Sequence, residues 1–132
     1  MYVVKKGNKG LLYATVSINE MVLTALVDTG ASSTLISDMI AKYLKLQLRE
    51  AAPVTGTTGK SKRGKRCYVS VKIAGKLTKC HVDVISFAHL EKWCKENKMP
   101  RYDVIIGMRE LMRLRLGQQI GAALDRSDSL VF

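Results

Sequence analysis

From Leu12 onward the chain alternates. Leu12, Ala14, Val16 and Ile18 fall on one face and Tyr13, Thr15 and Ser17 on the other, the period of two that marks a half-buried strand. Asn19-Glu20 interrupts the pattern as a hairpin turn, and Met21, Leu23, Ala25 and Val27 resume the apolar face in a second strand. That strand runs into Asp28-Thr29-Gly30-Ala31-Ser32-Ser33, a single carboxylate at a strand tip followed by small, turn-forming residues. A hairpin ending on such a turn is a rigid mount for a side chain, which catalysis needs. Gly30 is expected to supply the turn through its backbone freedom. The plainer reading is an aspartate that starts a turn and bonds its own backbone.

Further on, Thr34-Leu35-Ile36 predicts a short strand. Ser37 then serves as an N-cap, with Asp38 in the first helical turn and Met39, Ile40, Tyr43 and Leu44 on one helical face. Pro53 is expected to end whatever element follows that helix. Residues 67–73 alternate as a strand, Ala74-Gly75 turns, and residues 77–85 return. Leu90, Trp93 and Cys94 have helical spacing, so a short helix anchored by Trp93 and ended by Pro100 is expected. Val104-Ile105-Ile106 reads as a buried strand, residues 110–116 as a helix stopped by Gly117, and residues 122–124 and 130–132 as a last pair of strands. At the other end, residues 1–4 fit a short edge strand and residues 5–9 a basic link.

The 132 residues suit one domain spanning 1–132, large enough for a modest core. Apolar residues make up 47 % of the chain, yet no run approaches the length needed to cross a bilayer. The first six residues lack the apolar region of a signal peptide. The expectation is a soluble, intracellular, cytoplasmic chain with no membrane partner. Cys67, Cys80 and Cys94 are odd in number and lack paired Cys/His spacing, which argues against a disulfide framework or zinc site. No metal or cofactor is expected.

Charge adds a second theme. Twenty-two Lys and Arg against 11 Asp and Glu give +11, a field that attracts polyanions or acidic peptides. Five of the seven residues from 60 to 66 are basic: Lys60, Lys62, Arg63, Lys65 and Arg66. Two readings stay open, a merely solvated basic surface and one that binds nucleic acid or an acidic partner. A nucleic-acid domain of unrelated fold fits poorly, because aromatics are only 6 % and no stacking platform is evident.

The segment Val27-Asp28-Thr29-Gly30-Ala31-Ser32 resembles the catalytic loop of the retropepsins, the aspartic proteases of retroviruses and LTR retrotransposons. Asp103-Val104-Ile105-Ile106-Gly107-Met108 is similar to the apolar segment that crosses behind that loop. Gly121-Ala122-Ala123-Leu124-Asp125, with Leu130-Val131-Phe132, resembles the closing hairpin of gypsy-type retrotransposon proteases. The resemblance implies a mainly β fold, a closed barrel forming half of an acid protease, with short helices. It implies an aspartic endopeptidase acting on peptides or a polyprotein.

Hydrolysis of a peptide by carboxylates needs two of them at one water. The chain offers one such loop, and Asp103, Asp125 and Asp128 lack its context, so a symmetric homodimer with one Asp28 from each subunit is expected. By resemblance, Asp28 supplies the carboxylate, the Thr29 hydroxyl bonds across the dimer, and Gly30 accepts a close backbone approach. Ala31 and Ser32 would touch substrate, as would Thr58, Gly59 and Lys60 at the tip of a flap with Gly64 in its returning arm. Some positions depart from the retroviral pattern. An acid is usual where Ser32 stands and an arginine where Met108 stands, and both are replaced together. Arg109 falls where the family commonly has Asp or Asn. The competing function is the same fold kept as a dimerisation or binding module with weak or no proteolysis.

Overall fold

The computed structural model describes residues 3–6, 12–55, 61–116 and 130–131, with side chains described for 12–50 and 64–116. Strand β2 (Leu12–Ile18) pairs with β3 (Met21–Val27) along its whole length, from Leu12 opposite Val27 to Ile18 opposite Met21. Asn19 and Glu20 join them with φ of 46° and 71°, the left-handed pair that matches the twist of a tight hairpin. Strand β1 (Val3–Lys6) lies antiparallel to β2 and continues through Lys5 and Lys6, where the sequence suggested a link.

The chain then builds β4 (Leu35–Ser37), α1 (Asp38–Tyr43), β5 (Arg49–Thr55), β6 (Ser61–Ile73) and β7 (Lys76–Ile85). It continues through α2 (Ala88–Glu96), β8 (Val104–Ile106) and α3 (Met108–Arg113) to β9 (Leu130–Val131), which pairs with β1. Neighbouring strands run β5-β6-β7-β4-β8-β3-β2-β1-β9, and an additional β2–β6 pairing closes the middle six into a barrel. Short β8 lies between β3, parallel to it, and β4, antiparallel. The mouth of the barrel at that point is where β3 delivers Asp28.

Alternation fills the barrel. Val16, Ile18, Ala25, Val27, Val69, Val71, Val82, Val104 and Ile106 pack inside, closed by Ile40 of α1 and Leu111 of α3. A second cluster sits on the opposite face of β2, β3 and β8, where Tyr13, Leu26 and Ile105 pack with Phe87, Cys94, Met99 and Tyr102. The strands nearest Asp28 are thus buried on both faces. Burying apolar surface stabilises by about 25 cal/mol per Å², so the site rests on strands held by apolar packing on both sides.

Several local expectations need correction. Ser37 does cap α1, its hydroxyl accepting from the Ile40 N–H at 3.2 Å, but that cap sets the helix rotation so that Ile40 and Ala41 face inward. Met39 and Tyr43 are left 61 % and 74 % exposed. Pro53 does not end a segment but sits within β5, beside a register shift between Glu50 and Pro53. Because β5 is an edge strand, the missing N–H can be tolerated there. In α2 the buried anchor is Cys94, with Leu90 packed beside it, whereas Trp93 is 38 % exposed. Helix α3 begins two residues earlier than the sequence pattern indicated. Gly117 and residues 122–124 lie outside the described residues. Among the described residues, no helix is long and apolar enough to cross a membrane.

Candidate active site

Asp28 leaves β3 half-buried, its N–H donating to the Ile106 carbonyl at 3.0 Å, so the parallel β3–β8 ladder runs to the base of the residue. The Gly30 N–H donates to Asp28 Oδ1 at 2.9 Å, and the Ala31 N–H donates to the Asp28 carbonyl at 3.2 Å. This is the self-bonding aspartate turn of the plainer reading, and it also aims the carboxylate. Gly30 is not in the left-handed region; its value is space. A Cβ there would lie 3.2 Å from Asp28 Oδ1, tighter than ordinary contact. Thr29 and Gly30 are exposed at the tip.

The other side of the loop is tied to α3. The Ala31 carbonyl accepts from the Met108 N–H at 2.8 Å and the Ser32 carbonyl from the Arg109 N–H at 3.2 Å. The first donors of a helix have no intrahelical partner. Here the loop supplies acceptors, which explains why α3 starts at Met108. Gly107, just before it, presses on the loop so closely that a Cβ would stand 2.4 Å from the Ser33 carbonyl oxygen.

Thr34, fully buried, is the joint. Its N–H donates to Glu110 Oε1 at 3.0 Å, its Oγ1 accepts from the Gly107 N–H at 3.2 Å, and its carbonyl accepts from the Asp83 N–H at 3.1 Å. Glu110 is also fully buried, and Arg109 grips it with Nε to Oε2 at 2.7 Å and Nη2 to Oε1 at 3.2 Å. Arg109 Nη2 donates in addition to the His81 carbonyl on β7 at 2.6 Å. Burial works to raise the Glu110 pKa, but the bonds from Arg109 and Thr34 outweigh it and hold the carboxyl below its usual range. The same pairing raises the Arg109 pKa.

A second polar chain leads outward. Ser33 Oγ donates to Asp83 Oδ2 at 3.1 Å, and Arg66 Nε meets Asp83 Oδ1 at 3.3 Å. Lys65, next in the same basic run, is bonded to Glu50 on β5. Both basic side chains of the run that lie among the described residues are therefore matched by carboxylates.

The structure brings together Asp28, Thr29, Gly30, Ala31 and Ser32 on one loop. Ala31 packs against the second apolar cluster and Ser32 is exposed. Thr58, Gly59 and Lys60 lie outside the described residues, between two strands that pair up to Thr55 opposite Ser61. Sequence reading missed Thr34, Glu110 and Asp83. The adjacent opposite charges Arg109-Glu110, set among apolar residues, were the one available signal. Cys67, Cys80 and Cys94 are buried free thiols, and among the described residues no His, Cys, Asp and Glu group could hold a metal ion.

The comparisons with known proteins agree with this architecture. A family model described as aspartyl protease matches residues 14–109, from the first strand of the hairpin to Arg109. The chain belongs to that family. Among solved structures, the retropepsin-like aspartic protease from Rickettsia conorii is similar with a TM-score of 0.61 and 21 % identity, over 84 % of this chain and 77 % of that one. EIAV protease, solved with the inhibitor HBY-793, is similar with a TM-score of 0.60 and 22 % identity, over 78 % of this chain and 86 % of that one. The fold is accordingly retropepsin-like. A search of curated proteins gave no match.

Proposed function

We propose that the protein is an aspartic endopeptidase that works as a symmetric homodimer, with one Asp28 from each subunit at a shared water. The observation that carries this reading is the mounting of Asp28. One half-buried carboxylate stands on a loop fixed from both sides, its Oδ1 aimed by the Gly30 N–H, and the chain holds only one Asp-Thr-Gly. A two-fold axis through the loop would set each residue opposite its copy. Two carboxylates about 3 Å apart cannot both ionise, so they share a proton and titrate as a pair.

In this scheme the ionised member takes a proton from water as the water oxygen attacks the peptide carbonyl. The protonated member donates to the carbonyl oxygen, giving a tetrahedral diol. The C–N bond then breaks as a proton passes to the leaving nitrogen, and the dyad is restored. Thr29 would bond across the dimer, Ala31 and Ser32 would line the peptide's path, and Thr58, Gly59 and Lys60 would close over it. The substrate class is a polypeptide held extended, a polyprotein included.

Asp28→Asn tests the mechanism, because the amide keeps the shape but can be neither base nor shared acid. Cleavage of dye-labelled casein should fall by about 10²–10⁴-fold or more while the thermal midpoint stays within a few degrees. Retained wild-type cleavage overturns the reading. Activity per subunit should also drop on dilution through the dimer dissociation constant measured by ultracentrifugation; full activity from a monomer would exclude the shared site. A folded wild-type dimer that cleaves nothing would favour the binding-module alternative instead.

A further inference from the structure

We propose that the Arg109–Glu110 pair is a positioning device for the Asp28 loop, acting through the Thr34 backbone rather than serving mainly to stabilise the fold. The proposal rests on the reading of Asp28 as the reacting carboxylate. Neither Arg109 nor Glu110 is given contact with substrate. Glu110 is fully buried, and its two oxygens are taken up by the Thr34 N–H and the Arg109 guanidinium.

A buried ion pair is weak evidence for stability, since removing two charges from water costs about as much as their attraction returns. Its stronger effect is geometric. A bidentate arginine–carboxylate pair fixes two planes relative to each other. Here the plane is held at one end by the His81 carbonyl of β7 and at the other by Thr34. Thr34 also accepts from the Gly107 N–H through its Oγ1 and from the Asp83 N–H through its carbonyl, so the start of α3 and strand β7 both converge on one residue six positions after Asp28. Between these points the Ala31 and Ser32 carbonyls are clamped to the N–H groups of Met108 and Arg109. Arg109 is therefore bound to the loop twice, directly through its backbone and indirectly through its side chain and Glu110. Moving α3 moves the loop.

The double variant Arg109→Met/Glu110→Leu separates positioning from stability. Apolar replacement of a whole buried pair is often neutral or stabilising, whereas removing one partner strands the other's charge. The double variant should fold and dimerise with a thermal midpoint near wild type, while Glu110→Leu alone should melt lower. If the pair positions the loop, the double variant should still lose about tenfold to a hundredfold in kcat on dye-labelled casein, with KM within twofold. Glu110→Gln, which keeps an acceptor for the Thr34 N–H, should recover part of that loss. Amide hydrogen exchange supplies a readout that needs no activity. Exchange at residues 30–34 should quicken in the double variant, while residues 67–73 and 77–82 stay protected as in wild type. A stable double variant with wild-type protection at residues 30–34 overturns the proposal, whether or not casein is cleaved. If wild type itself cleaves no casein, the endopeptidase reading fails separately, and exchange still decides the role of the pair.

Discussion

Between Asp28 and Thr34 the loop is bonded to β8, to the first turn of α3, to Glu110 and to β7, and its Ala31 packs against the second apolar cluster. The β5–β6 arm that carries the basic run is held differently. It is an edge hairpin with a register shift near Pro53, and its described side-chain ties are Lys65 to Glu50 and Arg66 to Asp83. One region is fixed by converging buried bonds, the other by strand ladders and partly exposed ion pairs. The proposed function asks for rigidity where a reacting group must be aimed, and the cover it proposes would need the looser hold of the second region. A substitution of similar size should therefore cost far more in the first region than in the second.

Gly107→Ala is the hardest blow the comparison offers without touching a charged group. The added Cβ would meet the Ser33 carbonyl oxygen at 2.4 Å and its carbonyl carbon at 2.5 Å, both backbone atoms that cannot rotate away. Overpacking of this kind costs about 1–3 kcal/mol, and relief would have to come from shifting the loop. Denaturant titration should show a midpoint loss of that order, with cleavage falling further than stability accounts for. An unchanged midpoint and unchanged activity would mean the loop is less constrained than its bonds indicate.

Acid should reach the loop through Glu110. Its folded pKa is lowered, so its ionised form adds stability that is present above the unfolded glutamate value and lost as pH falls through the lower folded one. The window therefore lies below about pH 4.3, the ordinary glutamate value. Stability of wild type, followed by thermal midpoint, should fall more steeply there than that of Glu110→Gln, which has no proton to take up. Equal slopes would assign the acid sensitivity to other carboxylates.

Much of this division could be read from the chain, and the reasons for the misses are physical. The β2–β3 hairpin, the Asp28 turn and β8 are local patterns of alternation and turn chemistry, so residues 12–33 and 104–106 announce themselves. Thr34, Asp83 and Glu110 do not, because their importance comes from register. Leu35 opposite Asp83 and Ile105 opposite Leu35 bring together segments separated by about 50 to 75 positions, which no short-range periodicity encodes. Helix α1 failed in a smaller way. Six residues give too few turns to choose between a face through Met39 and Tyr43 and one through Ile40 and Leu44, and the Ser37 cap decided it. For the basic run, a count of cations does not show that Lys65 and Arg66 face Glu50 and Asp83.

Lys65→Gln should be the mildest change, and it probes the arm. Lys65 and Glu50 are 51 % and 66 % exposed at the side chain, so water screens the pair and its contribution should be no more than about 0–1 kcal/mol. The two residues lie on adjoining strands, Glu50 directly opposite Lys65, so the bond crosses the ladder at the base of the arm. Loss of the cation should leave the thermal midpoint nearly unchanged at 0.1 M salt. At 1 M salt the Debye length shrinks from about 10 Å to about 3 Å, and the remaining difference from wild type should vanish. Amide exchange in β5 should quicken slightly while residues 30–34 do not respond. A midpoint loss as large as that of Gly107→Ala, or faster exchange at the Asp28 loop, would show that arm and loop are one mechanical unit. The Arg66–Asp83–Ser33 contacts would then be the route between them.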